Sequence, residues 1–341
     1  SREAIFSISR GASHIALDVG EQISMEQALM AAMLPSANEA CNGIAEHVSG
    51  SMPEFVQLMN ERAVEAGALH TNFTNANGLC EDEHLTTAFD MAMITRMALM
   101  NEKFRQIFGT PKYEIPPTNM QSEPRYLWAE HKMFPGGRYE YEGVIGGKTG
   151  YTQKSQNTLV TVAQRGDREL IAVVIKSPNG GVYIDTKALF DYGFNEFNEQ
   201  LITLPAVTGD NLSGSDRDWQ SLQAGINQLN DVGYKRLLHK DIDINDIMVN
   251  YLVVPAPDKE KIQLNMNMSL KKPTDLMYAQ LGTISLDLNI LPATGLVDKT
   301  INVLRKIIII LIAAVIAILS LRWFFKKRNY IRHKSSYIYK R

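Results

Sequence analysis

Through the first hundred residues apolar side chains recur at helical spacing, and most stretches open on a capping signal. Ser24-x-x-Gln27 is a capping box that predicts a helix through Leu34, stopped by Pro35. A second helix is expected from near Asn38. Ser51-x-x-Glu54, with Pro53 in the first turn, opens a third through about Ala66, with Phe55, Leu58, Met59 and Arg62 at helical spacing. Thr87-x-x-Asp90 opens a fourth, rich in Met and Ala, through about Met100. Residues 108–141 carry Pro111, Pro116-Pro117, Pro124 and Pro135-Gly136-Gly137, and read as loop. Residues 143–149 have strand character. Residues 158–164 and 169–175 flank Arg165-Gly166-Asp167-Arg168 and predict an antiparallel hairpin. A helix over 183–194 closes an α/β unit of helices packed on an antiparallel sheet.

The period then changes. After Leu204-Pro205 alternation takes over, clearest in Ile262-x-Leu264-x-Met266-x-Met268-x-Leu270 and Ile284-x-Leu286-x-Leu288. Residues 206–290 are therefore expected to form a small, mostly β second domain, following a first domain over 1–200. Residues 291–306 read as a juxtamembrane linker. Residues 307–325 (IIIILIAAVIAILSLRWFF) are apolar almost throughout. Their length as a helix, roughly 28 Å, matches a hydrocarbon core of about 30 Å. Arg322 is near enough to the end to snorkel, and Trp323 suits an interfacial belt.

Charge sharpens that picture. The net charge of −2 conceals eleven Lys/Arg and no Asp/Glu from Lys299 onward, which leaves 24 basic against 37 acidic residues before it. The positive-inside rule then predicts a single-pass helix with residues 326–341 as a basic cytoplasmic tail and the body on the extracytoplasmic face. No export signal is visible and the chain starts at Ser1, so a removed signal or a fragment is expected. The ectodomain shows no basic, aromatic-interleaved patch, which argues against nucleic acid. Seven histidines form no His-x-His or His-Glu-x-x-His pair and the two cysteines no Cys-x-x-Cys, so neither a metal nor another cofactor is expected. Whether Cys41 and Cys80 pair or stay separate thiols is open from sequence.

The candidate chemistry lies in two short motifs. Lys148-Thr149-Gly150 follows Gly146-Gly147. A phosphate-binding loop would need Gly five residues before Gly147, where Glu142 stands, and a helix downstream where strands follow. That nucleotide reading fails. Ser-x-Asn occurs three times, at Ser36–Asn38, Ser155–Asn157 and Ser177–Asn179. Only Ser36 falls at a helix–helix junction, where side chains can project into a cleft.

Around these motifs a longer series recurs in order: Gly20-Glu21, Leu34-Pro35-Ser36-Ala37-Asn38-Glu39-Ala40, Phe55-x-x-Leu58-Met59-Asn60, His70-Thr71-Asn72-Phe73, Asn77-Gly78-Leu79, Thr86-Thr87-Ala88-x-Asp90-Met91-Ala92 and Gly147-Lys148-Thr149-Gly150-Tyr151-Thr152. The series resembles the serine-type D-Ala-D-Ala carboxypeptidases, the low-molecular-mass penicillin-binding proteins of peptidase family S11. The resemblance implies a β-lactamase/DD-peptidase-like transpeptidase fold and acyl transfer on peptidoglycan stem peptides, with β-lactams as inhibitors. A helix-borne Ser would attack the carbonyl between two D-alanines, activated by a Lys one turn later. Ser36 would serve the proton relay. Asn38 would hold substrate and orient that Lys. Lys148 would add positive charge, Thr149 bind the terminal carboxylate, and the strand through Gly150 pair with the substrate backbone. Glycines at 146, 147 and 150 would suit close approach of a ligand.

One element departs from the pattern. The only Ser-x-x-Lys is Ser269-Leu270-Lys271-Lys272, out of family order and on strand-like alternation, which turns i and i+3 to opposite faces. An N-terminally truncated family member, inactive as it stands, is the expectation. A non-catalytic wall-binding or scaffold protein with the same cleft is the alternative, and a β-lactamase a weaker third. Leu291-Pro292-Ala293-Thr294-Gly295 also copies a cell-wall sorting signal, which would bring in a sortase as partner.

Overall fold

A computed structural model describes residues 1–178, 180–214, 219–255, 261–271 and 280–289. It divides into two compact units, 1–198 and 199–341. The apolar run at 307–325, the basic tail and the 291–295 motif lie outside the described residues.

The first unit opens with helices α1 (Arg2–Phe6), α2 (Met25–Met33), α3 (Asn38–Ser49), α4 (Met52–Glu65), α5 (Ala88–Ala98) and α6 (Glu102–Phe108). The capping residues act as their sequence suggests. Ser24 Oγ accepts the Gln27 N–H while the Gln27 side chain accepts the Ser24 N–H. Ser51 and Thr87 cap α4 and α5 in the same way, each on the backbone N–H three residues on. The 108–141 stretch holds more than loop. Strands β1 (Lys112–Ile115) and β2 (Arg125–Trp128) form an antiparallel hairpin, burying Ile115 and Leu127 against Met30, Leu34 and Ala37.

The sheet that follows is antiparallel in the order β3 (Val144–Thr152), β4 (Gln156–Arg165), β5 (Arg168–Ser177). Helix α7 (Gly181–Asn195) lays Val182, Tyr183, Phe190 and Phe194 on one face, against Leu159, Ala163 and Ala172. Val162 points to the other face and meets Phe108 and Leu99. Strand alternation thus sorts β4 between two helical layers. Among the described residues β3 and β5 are the two edges of this helix–sheet–helix arrangement.

Strand β6 (Phe197–Ile202) starts in the last two residues of the first unit, and the second unit continues with β7 (Leu212–Gly214), α8 (Trp219–Val232), β8 (Tyr234–His239), β9 (Ile247–Pro255), β10 (Lys261–Leu270) and β11 (Gln280–Asn289). One sheet runs β11-β10-β9-β7, with β7 parallel to β9, and β6 pairs with β8. Leu264, Met266 and Met268 of β10 join Val249, Tyr251 and Val253 of β9 and Leu222 and Ile226 of α8 in its core. Helix α8 corrects the purely alternating reading of this stretch: Leu222, Ile226 and Leu229 sit at helical spacing within it. Ser269 lies on strand β10, opposite Met248 of β9, so it has no helical turn on which to meet a lysine.

Candidate active site

The site begins where α2 stops. Leu34 caps the helix, Pro35 has no N–H to continue it, and Ser36 turns the chain at φ 60°. For a residue with a side chain this left-handed conformation costs about 1–2 kcal/mol. The turn is held from both sides. The Ala37 N–H donates to the Ala31 carbonyl at 2.9 Å, and the Asn38 N–H to the Ser13 carbonyl at 2.9 Å. Asn38 then starts α3 with its amide buried, donating to Ser13 O at 2.8 Å and to Ser36 O at 3.3 Å.

Strand β3 brings the second half. The Lys148 ammonium donates to Ser36 Oγ in a short contact and to the Thr149 carbonyl at 2.8 Å. Burial pushes the Lys148 ammonium below the usual lysine range, and the charge of Glu130 partly opposes the shift. Thr149 turns to the other face of the strand, where its hydroxyl donates to Glu130 Oε2 at 3.2 Å. Residues 36, 38 and 148 therefore meet on Ser36, the amide at its carbonyl and the ammonium at its hydroxyl. Thr149 and Gly150 follow directly along β3, and Gly150 pairs with Thr158 of β4.

The glycines of β3 have close neighbours within the protein. A Cβ on Gly146 would sit 2.1 Å from the Phe108 ring, one on Gly147 2.1 Å from His131 Nε2, and one on Gly150 2.5 Å from Thr158 Oγ1. What packs against the strand from within the protein leaves no room for a side chain at these positions. His131 is buried, with Nε2 2.8 Å from Thr161 Oγ1 and no protein partner for Nδ1. Burial, helped by Lys148, lowers its pKa to about 4, so the ring is neutral at physiological pH.

Four further residues bear on the cleft. Glu130 is joined to the α2 terminus by its N–H, which donates to the Leu34 carbonyl at 3.3 Å. Ser13 supplies the carbonyl that fixes Asn38. Glu39 is buried on the first turn of α3 and accepts the Ile15 N–H at 2.8 Å. Cys41 lies one turn into α3, close enough to Lys148 for their charges to interact, yet burial dominates and raises its pKa to about 11. Its thiol stays protonated and is a poor nucleophile. Cys41 and Cys80 are both free. Among the described residues no group of three His, Cys, Asp or Glu side chains gathers as a metal site.

A mixed α/β unit that sets a Ser-x-Asn turn against a Lys-Thr-Gly edge strand has the architecture of the DD-peptidase and transpeptidase class. The family profile described as peptidase S11, D-alanyl-D-alanine carboxypeptidase, matches residues 1–179, and the chain belongs to that family. D-alanyl-D-alanine carboxypeptidase DacF of Bacillus subtilis is 33% identical over 201 residues, covering 58% of this chain and 49% of the relative. The DacC enzyme of Escherichia coli is 28% identical over 202 residues, covering 58% of this chain and 48% of its own length. The chain thus spans about half the length of these curated relatives. The solved DD-transpeptidase of Streptomyces K15 superposes with a TM-score of 0.50 at 28% identity, over 54% of this chain and 72% of that one.

Proposed function

We propose that residues 1–198 form the acyl-transfer cleft of a serine-type D-Ala-D-Ala carboxypeptidase that removes the terminal D-alanine from peptidoglycan stem peptides and is acylated by β-lactams. The observation that carries this reading is the Lys148–Ser36 contact, which joins the β3 edge to the α2–α3 turn. In this scheme Lys148 holds positive charge at the cleft and polarises the Ser36 hydroxyl, which relays the proton to the departing amine. Asn38, locked by Ser13, fixes the turn that presents Ser36. Thr149 offers its hydroxyl to the peptide's terminal carboxylate, and the backbone at Gly150 pairs with the peptide.

The acylating serine is assigned to a Ser-x-x-Lys helix, and no such motif precedes Ser36 in the 341 residues. Acylation is therefore expected only of a product that carries one. Labelled penicillin should leave the 341-residue chain unmarked and mark a product extended upstream by that helix. In the extended product, S36A and K148A should each lower D-alanine release by about 10²–10⁴-fold. Stoichiometric labelling of the chain as it stands, or full release by both variants, refutes the assignment.

The 307–325 run supports membrane attachment with the catalytic unit on the extracytoplasmic face, although no helix among the described residues is long and apolar enough to cross a membrane. The Leu291–Gly295 motif is consistent with sortase processing instead. Mature protein in the wall fraction, ending at Thr294, would select that route.

A further inference from the structure

Thr149 already has a carboxylate on it, and that carboxylate belongs to the protein. We infer that Glu130 is a specificity-determining residue of the cleft, an internal carboxylate occupying the position on Thr149 that a ligand's terminal carboxylate takes. The inference rests on the function proposed above and deepens it.

A threonine hydroxyl has a single hydrogen to donate. Thr149 gives it to Glu130 Oε2 at 3.2 Å. A peptide carboxylate arriving at the same hydroxyl must take that hydrogen and stand beside a like charge, an arrangement that is unfavourable at short range. Glu130 can yield. Its backbone is fixed by the bonded Leu34 carbonyl, but its side chain is exposed. It also borders a hollow of about 480 Å³ lined by His14, Pro35, Arg125, Tyr126 and Trp128, which leaves room for the side chain to turn away. The Arg125 guanidinium there is engaged by Glu21, so it offers a displaced Glu130 no free ion pair.

Glu130 also has an opposite effect, because its charge favours the Lys148 ammonium that attracts an anion. That effect passes through a solvent-exposed carboxylate and is screened. The competition for one hydrogen is direct, so it wins. Glu130 accordingly weakens the hold of the cleft on an acid without abolishing it, and a ligand's carboxylate must displace it to reach Thr149.

The test uses the full 341-residue chain in detergent and needs no turnover. Binding of two tripeptides ending in D-alanyl-D-alanine, one the free acid and one the C-terminal amide, is measured by titration calorimetry for wild type, E130A, E130Q and T149V. E130A should bind the acid about tenfold more tightly, a shift of the size one displaced charged contact produces. E130Q, whose carbonyl still accepts from Thr149, should fall between it and wild type. The amide should change by less than about twofold. If T149V loses the acid while neither Glu130 variant gains it, the inference fails and the proposed function stands. If no form of the protein binds either peptide, both fall together.

Discussion

Gly147 and His131 occupy one volume between them. The imidazole takes the space that any side chain at 147 would need, at 2.1 Å from an added Cβ. G147A must push the buried ring away from Thr161, and overpacking of this kind costs about 1–3 kcal/mol. A lower denaturation midpoint with an unchanged m-value checks it. The same ring makes stability depend on pH. Its folded pKa is depressed to about 4, while in the unfolded chain it lies near 6.5. Between those values the unfolded chain takes up a proton that the folded one refuses. Stability is therefore fully present above about pH 6.5 and falls as pH drops toward 4, by up to about 3 kcal/mol for a shift of this size. H131Q should flatten that slope in denaturation curves taken across the window.

The approach to α2 is fixed by a carboxylate clamp. Arg125 of β2 donates to both Glu21 oxygens, at 2.7 and 3.0 Å, and Thr118 adds a hydroxyl at 2.6 Å. Both charged side chains are largely buried, at 1% exposure for Glu21 and 11% for Arg125. Removing one partner strands the other, which costs about 3–5 kcal/mol for a buried pair. E21Q should lower the melting temperature accordingly, and E21Q/R125M should recover much of the loss. Burial alone would raise the Glu21 pKa, but the bonds from Arg125, Thr118 and the Asp18 N–H outweigh it and hold it below the usual carboxylate range. This stabilisation is present above the unfolded carboxylate value and disappears as pH falls through the lower folded one.

That clamp was invisible in the sequence, since 104 residues separate its partners. What could be read was local. Ser24, Ser51 and Thr87 announce helices because a capping side chain acts on a backbone N–H three residues away. The β1–β2 hairpin hid behind Pro116 and Pro117, which lie in its connection, while strands of four residues carry too little alternation to stand out. Helix α6 is seven residues long, too short for its period to show. Within the site, Ser36, Asn38, Lys148 and Thr149 were legible as motifs. Glu130, His131 and Ser13 were not, because only tertiary pairing brings them there. Gly147 is the one local hint at His131, since the ring fills the space a side chain there would need.

Each of the two units has a core of its own. In the second, Tyr251 is fully buried and its hydroxyl donates to the Pro205 carbonyl at 2.7 Å, tying the start of the unit to its sheet. The charge of the chain is divided along its length: every basic residue from Lys299 onward stands without an acidic one. On the proposed membrane attachment, ending the chain after Asp298 should move the protein from the membrane fraction to the soluble one. A truncated protein that still sediments with membranes would place the attachment elsewhere.

The left-handed backbone at residue 36 has a practical consequence for anyone dissecting this enzyme family member. Alanine there deletes the hydroxyl yet keeps the torsional penalty, whereas glycine deletes the hydroxyl and relaxes the turn. S36G should thus melt above S36A, since both lose the Lys148 contact and relief of about 1–2 kcal/mol exceeds the 0.4–1 kcal/mol or so that a freer unfolded chain takes back. A glycine variant that melts above the alanine one, both having lost turnover in the extended product, would show that position 36 is kept as serine for its oxygen, against the preference of its own main chain.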